Sequence, residues 1–177
     1  MRGVGGFGGC IDSMVMRGHG ADPISVMQRA QAAGQALHVA AEAVAASLPT
    51  MQLADVSARW GTTPRRAHLL DGLAEVLPEL RAAGIQDVII GGSMLTSKRV
   101  PGDLDVAAMI PAGSTLSASL VNRAWNRDVH IYPAHVQIAD RSSFNPPLVG
   151  GTTFLDLLTH SRTGNRAHAV RVPTAQT

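Results

Sequence analysis

The chain has 177 residues, of which 45% are apolar and 16% charged, with a formal charge of +2 at pH 7. This length and composition predict a soluble globular protein with one main domain. The basic residues are spread, apart from the pairs Arg65 with Arg66 and Lys98 with Arg99, which favours an anionic ligand over a duplex-binding surface. Because Cys10 is the only cysteine and no window approaches a membrane span, we expect a cytoplasmic protein without disulfides or a membrane partner.

The opening segment, residues 1–20, is rich in glycine, and we expect a flexible leader there. Residues 3–8 read GVGGFG and match the letters of the dinucleotide-binding pattern G-x-G-x-x-G. No predicted strand precedes the match and no clear βαβ unit follows it. The dinucleotide interpretation is therefore disfavoured.

Two helices are predicted next. The first spans residues 22–47, where apolar side chains recur every three or four positions, at Met27, Ala30, Ala33, Leu37, Ala40, Val44 and Leu48. The second starts at Thr63, which can cap a helix, with proline at the first helical position. It closes near residue 83, before Gly84, and we expect Pro78 to kink it.

Short apolar strands and helical crossings follow. We predict strands at 87–90, 104–110, 128–132 and within AHAVRV at 167–172, with helices near 115–125 and 152–160. Helices followed by such strands indicate an α+β fold, a small mixed sheet packed with helices and preceded by an amphipathic N-terminal helix. We divide the chain into the leader 1–20, a helical segment 21–58 and a main domain 59–177.

The stretch GGSMLTSKRVPGDLDV, residues 91–106, contains most of the candidate metal-binding and phosphate-binding residues. Asp103 and Asp105 lie two apart, so a strand would project both carboxylates from the same face. The two charges would repel each other unless a cation lay between them. Hard divalent ions such as Mg²⁺ prefer oxygen ligands of this kind and take further ligands from substrate phosphates.

The corner Gly91, Gly92 and Ser93 suits a phosphate, because glycine lets backbone amides approach and serine adds a hydroxyl donor. Asp128, at the start of the third strand, is the candidate for a third carboxylate that orients or deprotonates an attacking hydroxyl. Asp140 competes with it for that role. Taken alone, Asp-x-Asp after Pro-Gly and Gly-Gly-Ser are both common turn chemistry.

In this order, residues 91–106 resemble the signature of the nucleotidyltransferase superfamily, with its polymerase-beta-like fold, and resemble more closely an uncharacterised bacterial nucleotidyltransferase-like group. That group shows GS-[F/M]-x-T-x-K-x-x-P-x-D-[IL]-D-[VL] after an arginine-started helix. The resemblance covers about residues 60–133. It implies that two Mg²⁺ ions can be bound and that the superfamily's third acidic residue lies on a later strand.

Carried over to this chain, the resemblance implies that Gly92 and Ser93 hold a triphosphate, with Lys98 neutralising phosphate charge. It implies that Asp103 and Asp105 bind Mg²⁺. Asp128 would complete the metal-binding and catalytic set.

Two functions follow as expectations. The first is an Mg²⁺-dependent transferase that moves a nucleoside monophosphate from an NTP, ATP foremost, to a hydroxyl of a protein, RNA or small molecule, releasing pyrophosphate. The second is a catalytically silent module that docks a protein partner through the first helix, as in toxin-antitoxin or phage-defence systems. Nucleic-acid binding by the basic segment 161–172 is a further alternative. We expect the histidines to be ordinary surface or core residues, and Trp60 and Trp125 to be packing anchors.

Overall fold

The structure is a computed structural model that describes residues 23–111, 114–135, 153–160 and 168–176. The glycine-rich leader with its GVGGFG pattern, Asp140 and most of the segment 161–172 lie outside these described residues. In chain order the elements are α1 (Pro23–Ala46), α2 (Leu53–Trp60), α3 (Pro64–Ala82), β1 (Asp87–Ile90), a 3₁₀ turn (Gly92–Leu95), β2 (Leu104–Ala108), α4 (Ala118–Trp125), β3 (Val129–Pro133), α5 (Phe154–Thr159) and β4 (Val170–Pro173).

The four strands form one sheet in the order β3-β2-β1-β4. β1 is antiparallel to both β2 and β4, whereas β2 and β3 run parallel, with α4 as the crossover between them. A parallel pair of strands needs such a crossover connection. The helix predicted near residues 115–125 corresponds to it. The predicted α+β fold with a small mixed sheet is confirmed.

α3 forms the main helical contact with the sheet. Its fully buried residues recur every three or four positions and join the side chains of β1 and β2 in the larger hydrophobic cluster: Leu69, Leu70, Leu73, Leu77 and Leu80. Thr63 accepts a hydrogen bond from the backbone N–H of Arg66, and Gly84 takes the left-handed conformation (φ +84°) just after the helix. The predicted start and end signals of this helix are confirmed, and the helix continues through Pro78.

The short helix α2 was absent from the sequence predictions. Gln52 stands at its N-cap position without a side-chain capping bond, so the usual start signal is missing. Leu53 and Val56 are buried in the same cluster as α3. The boundary drawn between residues 58 and 59 therefore falls inside an element that shares the main core.

α1 packs on the other face of the sheet through its C-terminal turns only. Ala41 and Ala45 are buried with Ile89 of β1 in a second cluster. Of the residues assigned to an apolar face, Met27 is 71% exposed, and Ala33 and Ala40 are also exposed. Among the described side chains, the apolar spacing of the N-terminal turns has no buried partner surface, and the C-terminal turns of α1 supply the contact with the sheet. None of the described helices is both long and apolar enough to cross a bilayer.

We predict that Gly72→Ala destabilises the protein by about 1–3 kcal/mol, because overpacking of a close contact costs this much. A Cβ at Gly72 would lie 2.8 Å from Cβ of Arg127 and 3.1 Å from Cγ2 of Val129. Gly34→Ala is the matched control, because a Cβ at that exposed helical position would meet nothing within 4 Å. Urea denaturation should show the control unchanged or stabilised by up to about 1 kcal/mol; equal effects of both changes would contradict the close packing.

Candidate metal and phosphate site

Three metal-ligating side chains meet at one edge of the parallel pair. Asp103 precedes β2, Asp105 is its second residue, and His130 is the second residue of β3. Because the strands are parallel with Asp105 opposite His130, the register brings these side chains together. One carboxylate oxygen from each aspartate and one ring nitrogen all lie within 4.8 Å of one another. We refer to these three residues as the metal trio, since their donors can hold a divalent cation.

The electrostatics of the metal trio suit a cation. Burial raises the pKa of Asp105, and the neighbouring Asp103 carboxylate raises it further, while His130 acts in the opposite direction. His130 Nδ1 lies 3.6 Å from Oδ2 of Asp103. Burial and the charges of Asp105 and Asp103 also raise the pKa of Tyr132 on β3. The ionised form of Asp105 is therefore disfavoured in the metal-free protein, and a bound cation would remove the repulsion.

The glycine corner lies against the acidic pair. Gly92 has φ +62°, a left-handed conformation that favours glycine, and a Cβ there would lie 3.6 Å from Oδ2 of Asp105. Ser93 follows in the 3₁₀ turn and is half-buried, while Lys98 is exposed. Gly91 has another role, since a Cβ there would lie 2.9 Å from the carbonyl oxygen of Leu158 in α5. Gly91 is thus required for packing, and Gly92 lies beside Asp105 of the metal trio.

Asp128 is placed differently from Asp103 and Asp105. It takes a left-handed conformation (φ 56°) in the turn from α4 into β3, and its Oδ2 accepts a hydrogen bond from Arg65 at 2.8 Å. Arg65 also donates to the backbone carbonyls of Pro101 and Gly102. The structure therefore brings Asp103 and Asp105 together with His130 and places Asp128 in an ion pair with Arg65.

A second arginine fixes the loop between β1 and β2. Arg66 is only 4% exposed, and its guanidinium donates to the carbonyl oxygens of Thr96 (2.7 Å), Lys98 (2.6 Å) and Met94. These carbonyl groups lie outside the strands and form no hydrogen bonds within the sheet. The Arg66 guanidinium therefore supplies the N–H donors that they need. Arg65 and Arg66, which the sequence presented only as a basic pair, together hold both ends of the loop.

Aromatic side chains flank the metal trio on β3 and α4. The indole of Trp125 stacks on the His130 ring with centroids 3.9 Å apart and planes at 14°. Trp125 is 54% exposed, so the prediction that it is a packing anchor is wrong. Sequence reasoning also missed His130 as a site residue. The available signal was strand alternation, because a prediction of parallel pairing between β2 and β3 would have placed His130 beside the aspartates.

We predict that Asp105→Asn stabilises the metal-free protein at pH 7 by on the order of 1 kcal/mol. A carboxyl with a raised pKa in the folded state makes stability fall as pH rises through that pKa. The advantage of the variant should therefore shrink as pH falls towards the usual value of 3.8. Urea denaturation between pH 7 and pH 3.8 measures the difference in free energy of unfolding between the variant and the wild type. Asp71→Asn, at an exposed position of α3, serves as control. A variant less stable than the wild type at pH 7 would contradict the electrostatic description of the site.

Comparison with known protein families finds that residues 43–172 match DUF6932, a family of unknown function. No curated protein and no solved structure matches the chain. The match covers more than half of the chain, including α2, α3, the glycine corner and the metal trio. The chain belongs to the DUF6932 family.

Proposed function

We propose that this protein is a divalent-metal-dependent nucleotidyltransferase that moves a nucleoside monophosphate from an NTP to an acceptor hydroxyl. The observation that carries the proposal is the position of Gly92 directly beside Asp105 of the metal trio, with Ser93 next in the same 3₁₀ turn. A phosphate in the corner would lie within reach of a cation held by the trio. The resemblance of residues 91–106 to the nucleotidyltransferase signature supports the same assignment.

Different residues of the chain would bind the metal and the phosphate. Asp103 and Asp105 would hold the cation through carboxylate oxygens, and His130 would supply a nitrogen donor. Gly92 leaves room for phosphate oxygens beside Asp105, and Ser93 offers a hydroxyl. When bound, Mg²⁺ neutralises charge on the phosphates and so stabilises the transition state.

The reaction balances without a further reactant. The acceptor oxygen forms a bond to the α-phosphorus, and the bond from that phosphorus to the β-phosphate bridging oxygen breaks. Pyrophosphate leaves with that electron pair, and the hydroxyl proton is released. Catalysis then rests on alignment and on charge stabilisation by preorganised groups. ATP is the nucleotide that we propose first, and the acceptor is a hydroxyl of a protein, an RNA or a small molecule.

A second candidate is a nucleotide-binding module without transferase activity. It is favoured by the placement of Asp128, which is ion-paired with Arg65, so that the metal trio contains two carboxylates and an imidazole. The exposed turns of α1, residues 31–36, then offer a surface for a protein partner, in keeping with a toxin-antitoxin or phage-defence component. This candidate shares nucleotide binding with the first and differs in turnover.

The first test compares nucleotide binding by the wild type and by the double variant Asp103→Ala with Asp105→Ala. Calorimetry with ATP and the other three nucleotides should show binding by the wild type that requires Mg²⁺, and loss of that binding in the variant. Asp55→Ala with Asp71→Ala removes the same charge from exposed helical positions and serves as control. Absence of nucleotide binding by the folded wild type would contradict both candidates, whereas binding without transfer of label from α-labelled ATP to any acceptor would favour the silent module.

A further test uses the nitrogen donor. Imidazole suits later transition metals such as Zn²⁺, whereas Mg²⁺ prefers oxygen, so the metal-free protein should bind Zn²⁺ more tightly than Mg²⁺. His130→Asp should reduce this preference several-fold, because all three donors then become carboxylates. Calorimetric titration of both ions measures the ratio, with His68→Asp at an exposed position of α3 as control. An unchanged ratio in His130→Asp would remove His130 from the ligand set.

A further inference from the structure

A separate cavity of about 340 Å³ lies between the turn that joins α2 to α3 and the loop after the 3₁₀ turn. Its lining includes three arginines and four hydroxyl-bearing residues: Arg59, Arg66, Arg99, Thr62, Thr63, Thr96 and Ser97. We call this cavity the arginine pocket. None of the described residues that line it carries a carboxylate, and no member of the metal trio contributes to it.

The charge of the arginine pocket is uncompensated within the described chain. Arg66 is 4% exposed, and its terminal nitrogens donate to backbone carbonyls. Among described residues, no carboxylate forms a salt bridge with Arg59, Arg66 or Arg99. A buried cation is costly to desolvate, and carbonyl dipoles supply only partial charges against it. The pocket is thus a concave region of positive potential next to hydroxyl donors.

We propose that the arginine pocket binds a phosphate group. Guanidinium groups match phosphate oxygens through paired hydrogen bonds, and Arg59 and Arg99 would supply them. Arg66 adds positive charge only, because its terminal nitrogens already donate to backbone carbonyls, while the hydroxyls of Thr62 and Ser97 add neutral donors. Three positive charges suit a dianion better than a single carboxylate. The volume lies at the lower end of ligand pockets, so it holds the phosphate with a small part of the molecule that carries it. This site does not depend on the proposed nucleotidyl transfer.

The test is an NMR titration of isotope-labelled protein with inorganic phosphate, in the presence of EDTA and at constant ionic strength. The amide signals of Thr62, Thr96 and Ser97 should shift and saturate. Arg59→Gln with Arg99→Gln should weaken binding at least about tenfold, because two guanidinium groups that form charged hydrogen bonds to the phosphate are lost. Arg66 is left intact in this variant, because it also holds the loop.

The matched control is Arg81→Gln with Arg123→Gln, which removes the same charge at exposed helical positions outside the pocket. This control should bind phosphate as the wild type does. Equal shifts with chloride, or equal weakening in both double variants, would overturn the proposal and indicate general charge attraction. Circular dichroism of each variant verifies folding.

Two sources of the phosphate are then separated by comparing a nucleoside monophosphate with a trinucleotide. Tighter binding of the trinucleotide, lost in Arg59→Gln with Arg99→Gln, identifies a nucleic-acid chain. Equal affinities identify a small phosphorylated molecule. The comparison is repeated with Asp103→Ala and Asp105→Ala, so that binding at the metal trio is not counted.

Discussion

The buried guanidinium of Arg66 is the interaction on which the candidate site depends. The loop between β1 and β2 must leave the sheet, turn and return antiparallel, and its carbonyl groups have no strand to accept from. Arg66 donates to the carbonyls of Met94, Thr96 and Lys98, and Arg65 donates to those of Pro101 and Gly102. The first turn of α3 thereby determines where the loop starts and where Asp103 enters β2.

The parallel pairing of β2 and β3 supplies the second constraint. It places His130 opposite Asp105, and the tight turn after α4 sets the register of β3. Asp128 occupies the left-handed position of that turn, and its carboxylate is held by Arg65. A short polar residue tolerates this conformation better than a branched one, so Asp128 has a structural role that its ion pair reinforces.

The Asp105 carboxylate works against stability in the metal-free protein. Asp105 is half-buried beside a second carboxylate, and both burial and repulsion raise its pKa. A fold selected for stability alone would place a neutral side chain at this position. Functional sites are where such unfavourable charges persist, since a ligand then binds to relieve them. The residue that weakens the metal-free fold would therefore contribute to the proposed affinity of the site for a cation.

Sequence reasoning predicted the elements with strong local signals. The caps of α3 and the apolar runs of β1 and β2 depend on neighbouring residues alone, and the motif in residues 91–106 is contiguous, so these features can be read locally. His130 and the pairing of Arg65 with Asp128 depend on strand order and register, which local patterns do not determine. α2 begins at an uncapped glutamine, and the N-terminal turns of α1 keep an apolar spacing that the described fold does not use.

The loop after β1 borders two sites of opposite charge, the arginine pocket and the metal trio. Thr96 and Ser97 contribute to the arginine pocket, and a few residues later the chain enters the metal trio at Asp103. An anionic molecule is attracted to the pocket but repelled by the two aspartates, unless a cation neutralises them. Metal binding would therefore change what the neighbouring surface can accept, because it reverses the local charge while Arg66 keeps the loop in place. If the proposed function holds, a phosphate-bearing molecule would therefore bind at the glycine corner together with the cation or after it.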